Sequence, residues 1–96
     1  MKVILTYRTS ENTTSSVDFT CKNVKFGKHP DDKKDTGMVE FDQIGPEKTP
    51  PVIKILDNDI KKGWLKDRMT VNKDLFGEWW MQIDGDAIVM MKAIDG

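Results

Sequence analysis

The sequence predicts an all-β protein, a small antiparallel sandwich or barrel of roughly six to seven short strands. Apolar and polar residues alternate in several short segments, which is typical of strands with one buried face. Turn-forming residues recur about every ten positions, and the longest apolar run, Ala87 to Met91, has the length of a strand. The 96 residues fit one core, so we expect a single domain over residues 1–96.

Two alternating segments are expected to form an opening hairpin. The first covers residues 2–9, and the second covers residues 17–26 with a bulge or break near Asn23, where the alternation shifts by one position. This parity places Cys21 and Phe26 toward the core.

The middle of the chain is expected to alternate between loops and strands. Residues 27–37 carry many turn formers and no large apolar residue, which predicts a long exposed loop. Strands are predicted over residues 38–44 and 52–56, and the prolines between them indicate an irregular connection. Residues 58–68 fit two interpretations, a short helix and a turn. Apolar residues recur there at helical spacing, but Gly63 weakens a helix by about 1 kcal/mol relative to alanine. A short strand is expected directly after this stretch.

The last part of the sequence predicts a second hairpin. Its strands cover residues 78–83 and 87–94, and a tight turn at 84–86 contains a glycine that supplies positive φ. Neighbouring residues of a strand point to opposite faces, and both faces of this hairpin are apolar. A small antiparallel sheet normally has one polar face, so either the chain covers both sides or one face contacts another protein. The predicted partner-binding residues are Trp80, Gln82, Val89 and Met91.

The charge of the chain is balanced overall but unevenly distributed. Fifteen basic and sixteen acidic residues give a net charge of -1, which argues against a polybasic nucleic-acid coat. One basic segment nevertheless surrounds a tryptophan, an arrangement typical of single-stranded nucleic-acid binding, where cations follow the backbone and a ring stacks on a base. The residues of this alternative site are Lys61, Lys62, Trp64, Lys66 and Arg68. A core position for Trp64, with solvated lysines around it, is the competing interpretation.

The sequence offers no credible catalytic or metal-binding set, so we expect neither an enzyme nor a cofactor. One histidine, His29, and one cysteine, Cys21, are too few for the usual zinc sites and for Cys/His catalysis. The segment that begins at Asp57 resembles the start of a calcium loop, but Lys62 stands where a glycine is needed and Arg68 where a carboxylate is needed.

These patterns predict a non-enzymatic, β-rich binding module that acts through a protein contact, as an inhibitor, adaptor or assembly subunit. The expected partner is a target protein or a second copy of the chain, and the alternative is a single-stranded nucleic-acid-binding barrel. No apolar run is long enough for a signal peptide or a membrane span, so a cytoplasmic location without membrane contact is expected. No motif identifies a family; the size and β-rich pattern are typical of small accessory proteins that phages encode.

Overall fold

Two antiparallel sheets form the fold, as the computed structural model shows over the residues it describes, 1–28, 37–45 and 48–94. The three-stranded sheet has the strand order β2-β1-β7, and the four-stranded sheet has the order β3-β4-β6-β5. The strands are β1 (Lys2–Arg8), β2 (Thr14–Thr20), β3 (Asn23–Lys28), β4 (Gly37–Ile44), β5 (Met69–Lys73), β6 (Trp79–Asp84) and β7 (Ile88–Ile94). One helix, α1 (Pro51–Lys61), lies between β4 and β5 in the chain. The predicted all-β sandwich is confirmed.

The core lies between the inner faces of the two sheets. β1 contributes its alternate residues Val3, Leu5 and Tyr7, all of them buried. From the other sheet, Phe41 of β4 packs edge-to-face against Phe19 of β2, with ring centroids 5.3 Å apart. The alternation seen in the sequence therefore has its expected cause, one buried and one solvent-facing side to each strand.

The opening hairpin is confirmed, since β1 pairs with β2 from Lys2↔Thr20 to Arg8↔Thr14. The predicted break is also present: the second strand ends at Thr20, Cys21 is buried, and a new strand of the other sheet begins at Asn23. Phe26 differs from the prediction. It has the inward register of its partner Val39, but it is 71% exposed because β3 forms the edge of its sheet.

The loop predicted over residues 27–37 falls largely outside the described residues, which resume at Gly37. Its two ends are strand residues, because Gly27 and Lys28 belong to β3 and Gly37 begins β4. The strand predicted over residues 38–44 is confirmed and starts one residue earlier.

The strand predicted over residues 52–56 is wrong, because these residues form the first half of α1. Val52, Ile53 and Leu56 are buried, and this spacing of one and three residues places them on one face of a helix. Proline at the first helical position favours this start, since its fixed φ suits a helix and its missing N–H has no helical partner there. The helix ends before Gly63, whose φ of 107° lies in the left-handed region. Of the open stretch 58–68, only the first part is α-helical, and a 3₁₀ turn follows at Leu65–Asp67.

The second predicted hairpin is also wrong. β6 and β7 follow one another in the chain but belong to different sheets, and a 3₁₀ turn, Gly85–Ala87, carries the chain from one sheet to the other. Gly85 does not adopt the positive φ of a tight hairpin turn. Glycine is favoured at position 85 for a steric reason, because the Cβ of any other residue would lie 3.0 Å from the carbonyl oxygen of Gly37. The apolar residues of the two strands pack in two different sheets: Met81 and Ile83 of β6 are buried, and Ile88 and Met91 of β7 pack partly against the core. The remaining apolar residues of β7 are exposed, namely Val89, Met90 and Ile94.

Among the described residues, no helix is long and apolar enough to cross a membrane.

Candidate functional site

The four residues predicted to bind a partner do not share a surface. Trp80 and Gln82 lie in β6, in the four-stranded sheet, whereas Val89 and Met91 lie in β7, in the three-stranded sheet. The prediction of one contact face is therefore wrong, because it depended on a hairpin that the chain does not form.

The sheet face that carries Trp80 is polar and its charged groups are paired with one another. Gln82 Nε2 donates to Glu40 Oε1 at 2.8 Å, and Lys25 Nζ lies 2.9 Å from Asp42 Oδ2. The hydrogen bond to Asp42 raises the pKa of the exposed Lys25 ammonium. Trp80 is half-buried between its strand partners on this face. The face is thus a solvated polar surface with one aromatic ring, and it lacks the continuous apolar area of a docking surface.

The alternative nucleic-acid site is only partly assembled. The Arg68 guanidinium lies 3.9 Å from the centre of the Trp64 ring, and Arg68 Nη1 donates to the Trp64 carbonyl oxygen at 2.8 Å. Trp64 is half-buried and packs against the core on the inner side. Since the arginine covers the ring and also lies 3.6 Å from Asp86 Oδ2, neither group is available for a base or a phosphate without rearrangement. The competing interpretation, Trp64 as a packing residue, fits this geometry.

The three lysines of the same segment are exposed but do not surround a free ring. Lys61 and Lys66 are exposed, and Nζ of Lys62, the residue that follows α1, lies 3.4 Å from Asp59 Oδ1 in the last turn of that helix. They form a solvated basic edge at the C-terminal end of α1, where positive charge interacts favourably with the helix dipole.

The tip of the β5–β6 hairpin carries the most exposed apolar side chains of the described residues. Leu75 is fully exposed and Phe76 is 90% exposed. They are adjacent in the turn and have no place in the alternation of either strand. Sequence reasoning did not single them out, although two large apolar residues enclosed by Asp74 and Gly77 are a detectable signal.

The turn that presents this tip is well defined by hydrogen bonds. Asp74 Oδ1 accepts from the backbone N–H groups of Phe76 and Glu78, each at 2.9 Å. The Asp74 N–H donates to the Glu78 carbonyl oxygen at 2.8 Å, which closes the hairpin. Gly77 has a φ of 82°, a conformation that favours glycine. The two apolar side chains are therefore held outward by a preorganised backbone and do not owe their exposure to a loose loop.

A groove, called here the hairpin groove, begins at the base of this tip. Its first half, of about 510 Å³, lies between the hairpin base and the side chains of Lys22 and Lys48. Its second half, of about 370 Å³, reaches the first turn of α1. Thr20, Ile44 and Gly45 line both halves, so the two hollows adjoin each other on the surface.

Trp79 joins the hairpin base to the wall of the groove. Its Nε1–H donates to the Lys48 carbonyl oxygen at 3.1 Å, and Lys73 Nζ lies 5.9 Å from the ring centre. This contact fixes the backbone of Lys48 beside the tip, so the tip and the groove are parts of one surface.

The described residues contain no group of three or more His, Cys, Asp and Glu side chains that is placed to hold a metal ion. Cys21 is buried, and burial raises the pKa of its thiol, which disfavours the reactive thiolate. His29 lies outside the described residues.

Comparison with protein families, with curated proteins and with solved structures found no match to this chain. Its function is therefore inferred from the chemistry of the hairpin tip and its surroundings.

Proposed function

We propose that this protein is a non-enzymatic binding module that contacts another protein chain through Leu75 and Phe76 at the tip of the β5–β6 hairpin. The observation that carries the proposal is the exposure of both side chains on a hydrogen-bonded turn. The protein thus acts by association, as an inhibitor, adaptor or assembly subunit in the cytoplasm.

The energetics of the tip favour a contact. Burying a leucine or phenylalanine side chain contributes about 1.5–3 kcal/mol each relative to exposure. Because the turn is already ordered by Asp74 and Gly77, little backbone entropy is lost when the tip binds. Two adjacent anchors of this kind provide about 3–6 kcal/mol, which corresponds to roughly two to four orders of magnitude in affinity.

The charges beside the tip favour a protein over a phosphate-rich partner. The charged residues nearest the two apolar residues are Asp74 and Glu78, with Lys73 one position further along β5, and the two carboxylates repel nucleic-acid phosphates and anionic lipid headgroups. An apolar anchor with acidic neighbours fits instead an apolar pocket with a basic rim on another chain.

The test has two steps. A photo-crosslinking amino acid in place of Phe76 is used to identify the contacted chain in an extract of the native host, and the affinity of that purified chain is then measured. We expect the double variant Leu75→Ser with Phe76→Ser to weaken binding by at least a hundredfold with unchanged circular dichroism. Ile55→Ser is the matched control, because Ile55 is an exposed apolar residue on α1 and its replacement is expected to leave binding unchanged. Equal affinities of the double variant and the unmodified protein would refute the proposal.

Single-stranded nucleic-acid binding through Lys61, Lys62, Trp64, Lys66 and Arg68 has less support, since Arg68 already covers the Trp64 ring. A salt titration distinguishes the two functions. Oligonucleotide affinity falls steeply with salt because counterions are released, whereas an apolar protein contact responds weakly. Tight, salt-sensitive oligonucleotide binding that is lost in Trp64→Ala would reverse the preference.

A further inference from the structure

We infer that the open edge of β7 pairs with the same edge of a second copy of this protein, so that the two three-stranded sheets join into one continuous sheet. This contact is separate from the tip at Leu75 and Phe76, and it does not depend on the proposed function. It is supported by the free backbone groups of β7, by the exposed apolar side chains of the strand and by a register in which the strand matches itself.

The backbone of β7 directs hydrogen-bonding groups away from its sheet. Within the described residues, β7 is paired on one side only, with β1. The N–H of Cys21 donates to the carbonyl oxygen of Met1, so odd-numbered residues of β1 hydrogen-bond toward β2 and even-numbered residues hydrogen-bond toward β7. Met91 and Ala93 lie opposite odd-numbered residues of β1. Their N–H and carbonyl groups therefore lie at the open edge, where a further strand can bind them.

The side chains of β7 are apolar and largely exposed. Val89 is 50% exposed, Met90 is 62% exposed and Ile94 is 42% exposed. Lys92 is the one charged residue of the strand, which contains neither proline nor glycine. Charges, prolines and covering elements are the usual means by which proteins keep an open edge from pairing, and β7 has little of this protection.

The other sheet edges of the described chain are better protected. β2 consists mainly of serine, threonine and aspartate, and β3 carries Lys25 and Lys28. β5 packs against α1, and its Lys73 N–H already donates to Asn72 Oδ1 at 3.0 Å. β7 is therefore the edge most suited to strand addition, and its free groups and apolar side chains call for an extended, apolar segment as the occupant.

A second copy supplies such a segment, because β7 matches itself in an antiparallel register centred on Met91. In this register the backbone of Met91 hydrogen-bonds to Met91 of the other copy, and Ala93 lies opposite Val89. Lys92 lies opposite Met90 on the outer face, so the two lysines do not oppose each other. The methylene groups of Lys92 then cover the exposed Met90 while the ammonium group stays in water. A two-fold axis at Met91 uses both open edges, so association ends at the dimer.

Sedimentation velocity over a range of concentrations tests the contact. A single strand pair buries less than roughly 1,200 Å², so a weak, reversible dimer is expected. We expect Ala93→Pro to weaken dimerisation at least tenfold, because it removes an N–H group at the open edge and leaves the hydrogen bonds to β1 intact. Ala93→Ser keeps this N–H and is the matched control, which should dimerise like the unmodified protein.

A change of charge at position 90 tests the register. Met90 is exposed, so its replacement leaves the core unchanged. Met90→Glu places a carboxylate opposite Lys92 of the other copy and is expected to strengthen dimerisation severalfold at low salt. Met90→Lys places two ammonium groups opposite each other and is expected to weaken dimerisation. Equal dimer affinities for the two variants would overturn the register, and with it the match of the strand to itself.

The outcomes distinguish the edge contact from the proposed function. An unmodified protein that stays monomeric at high concentration, an Ala93→Pro variant that dimerises as well as Ala93→Ser, or growth into larger assemblies would each overturn the pairing of β7. Leu75→Ser with Phe76→Ser is expected to dimerise normally, and loss of the dimer in that variant would show that self-association uses the tip instead. A monomeric chain whose tip still binds another protein would refute only the contact at β7. Thermal unfolding verifies the fold of each variant; if Ala93→Pro is unfolded, the two Met90 variants decide the outcome.

Discussion

The hydrogen bond between Tyr7 and Asp59 joins α1 to the three-stranded sheet, and its removal is expected to lower the free energy of unfolding by about 2–3 kcal/mol. Tyr7 is fully buried, and its hydroxyl donates to Asp59 Oδ2 at 2.5 Å. The buried Asp59 also has Lys62 Nζ at 3.4 Å from its other oxygen. Tyr7→Phe keeps the ring and its packing but leaves one carboxylate oxygen without a donor. The loss therefore comes from a hydrogen bond to a charged group, which is stronger than a neutral one.

Chemical denaturation and calorimetry measure this loss. For a chain of this length the entropy of unfolding is about 0.2 kcal/mol/K, so we expect the melting temperature to fall by roughly 10–15 °C. Lys62→Ala is the control, because the lysine side chain is 68% exposed and its contact with Asp59 is screened by water, so we expect a loss of only about 0–1 kcal/mol. A loss below about 0.5 kcal/mol for Tyr7→Phe would refute the reasoning, since it would lie within the range of ordinary surface substitutions.

Three further results are expected. Burial, and to a smaller extent the hydrogen bond to Asp59, raises the pKa of Tyr7, the only tyrosine of the chain. Below about pH 10 the hydroxyl is protonated in both the folded and the unfolded state, whereas above it only the unfolded state ionises, so stability falls with rising pH. Tyrosinate absorbance should then appear together with unfolding, and an earlier appearance would contradict the burial of the hydroxyl. The thiol of Cys21, whose pKa burial also raises, should react slowly with a thiol reagent in the native protein and rapidly in denaturant; equal rates would show it to be accessible. Trp64→Ala should destabilise the protein by roughly 2–3 kcal/mol through lost packing and lost stacking of Arg68, and an unchanged denaturation midpoint would show that Trp64 is not a packing residue.

The sequence predicts the bounds of a strand well where the strand has one buried face. β1 and β4 were predicted to within one residue at each end, because Val3, Leu5, Val39 and Phe41 stand at every second position of their strands, as the pleat requires. The helix α1 was not predicted over its first half, where the sequence analysis gives a strand. A short apolar run predicts a strand there, although the spacing of Val52, Ile53 and Leu56 also fits one face of a helix. The neighbouring prolines favour an irregular segment in the prediction, whereas in the structure Pro51 begins the helix.

The second hairpin shows a limit of local patterns. Asp84–Gly85 is the usual signature of a tight turn, yet here glycine is required because the backbone at Gly37 lies too close for a Cβ. That close approach brings together two strands far apart in the chain, so no window around the turn contains it. The apolar pattern on both faces comes in part from the change of sheet, since Met81 and Ile83 of β6 are buried, whereas Val89 and Met90 of β7 are exposed.

Asp74 and Gly77 are signals of a turn in the sequence, but the exposure of the two residues between them depends on the geometry of that turn. Leu75 and Phe76 follow no period that would assign them to a face of either strand. Their outward position depends on the carboxylate of Asp74 and the left-handed backbone of Gly77 acting together.

The position of β1 at the centre of the three-stranded sheet has a consequence for how the protein reaches its native state. Its first neighbour, β2, follows directly in the chain, but its second neighbour is β7, so that Val3 pairs with Ala93 across nearly the whole sequence. Closing so long a loop is entropically unfavourable until many other contacts exist, and folding is slow when native contacts are distant in sequence. While the chain is being synthesised, one edge of β1 therefore has no partner until the ribosome has released β7. During that interval the nascent protein presents an unpaired, half-apolar strand edge, a template for pairing with a strand of another chain.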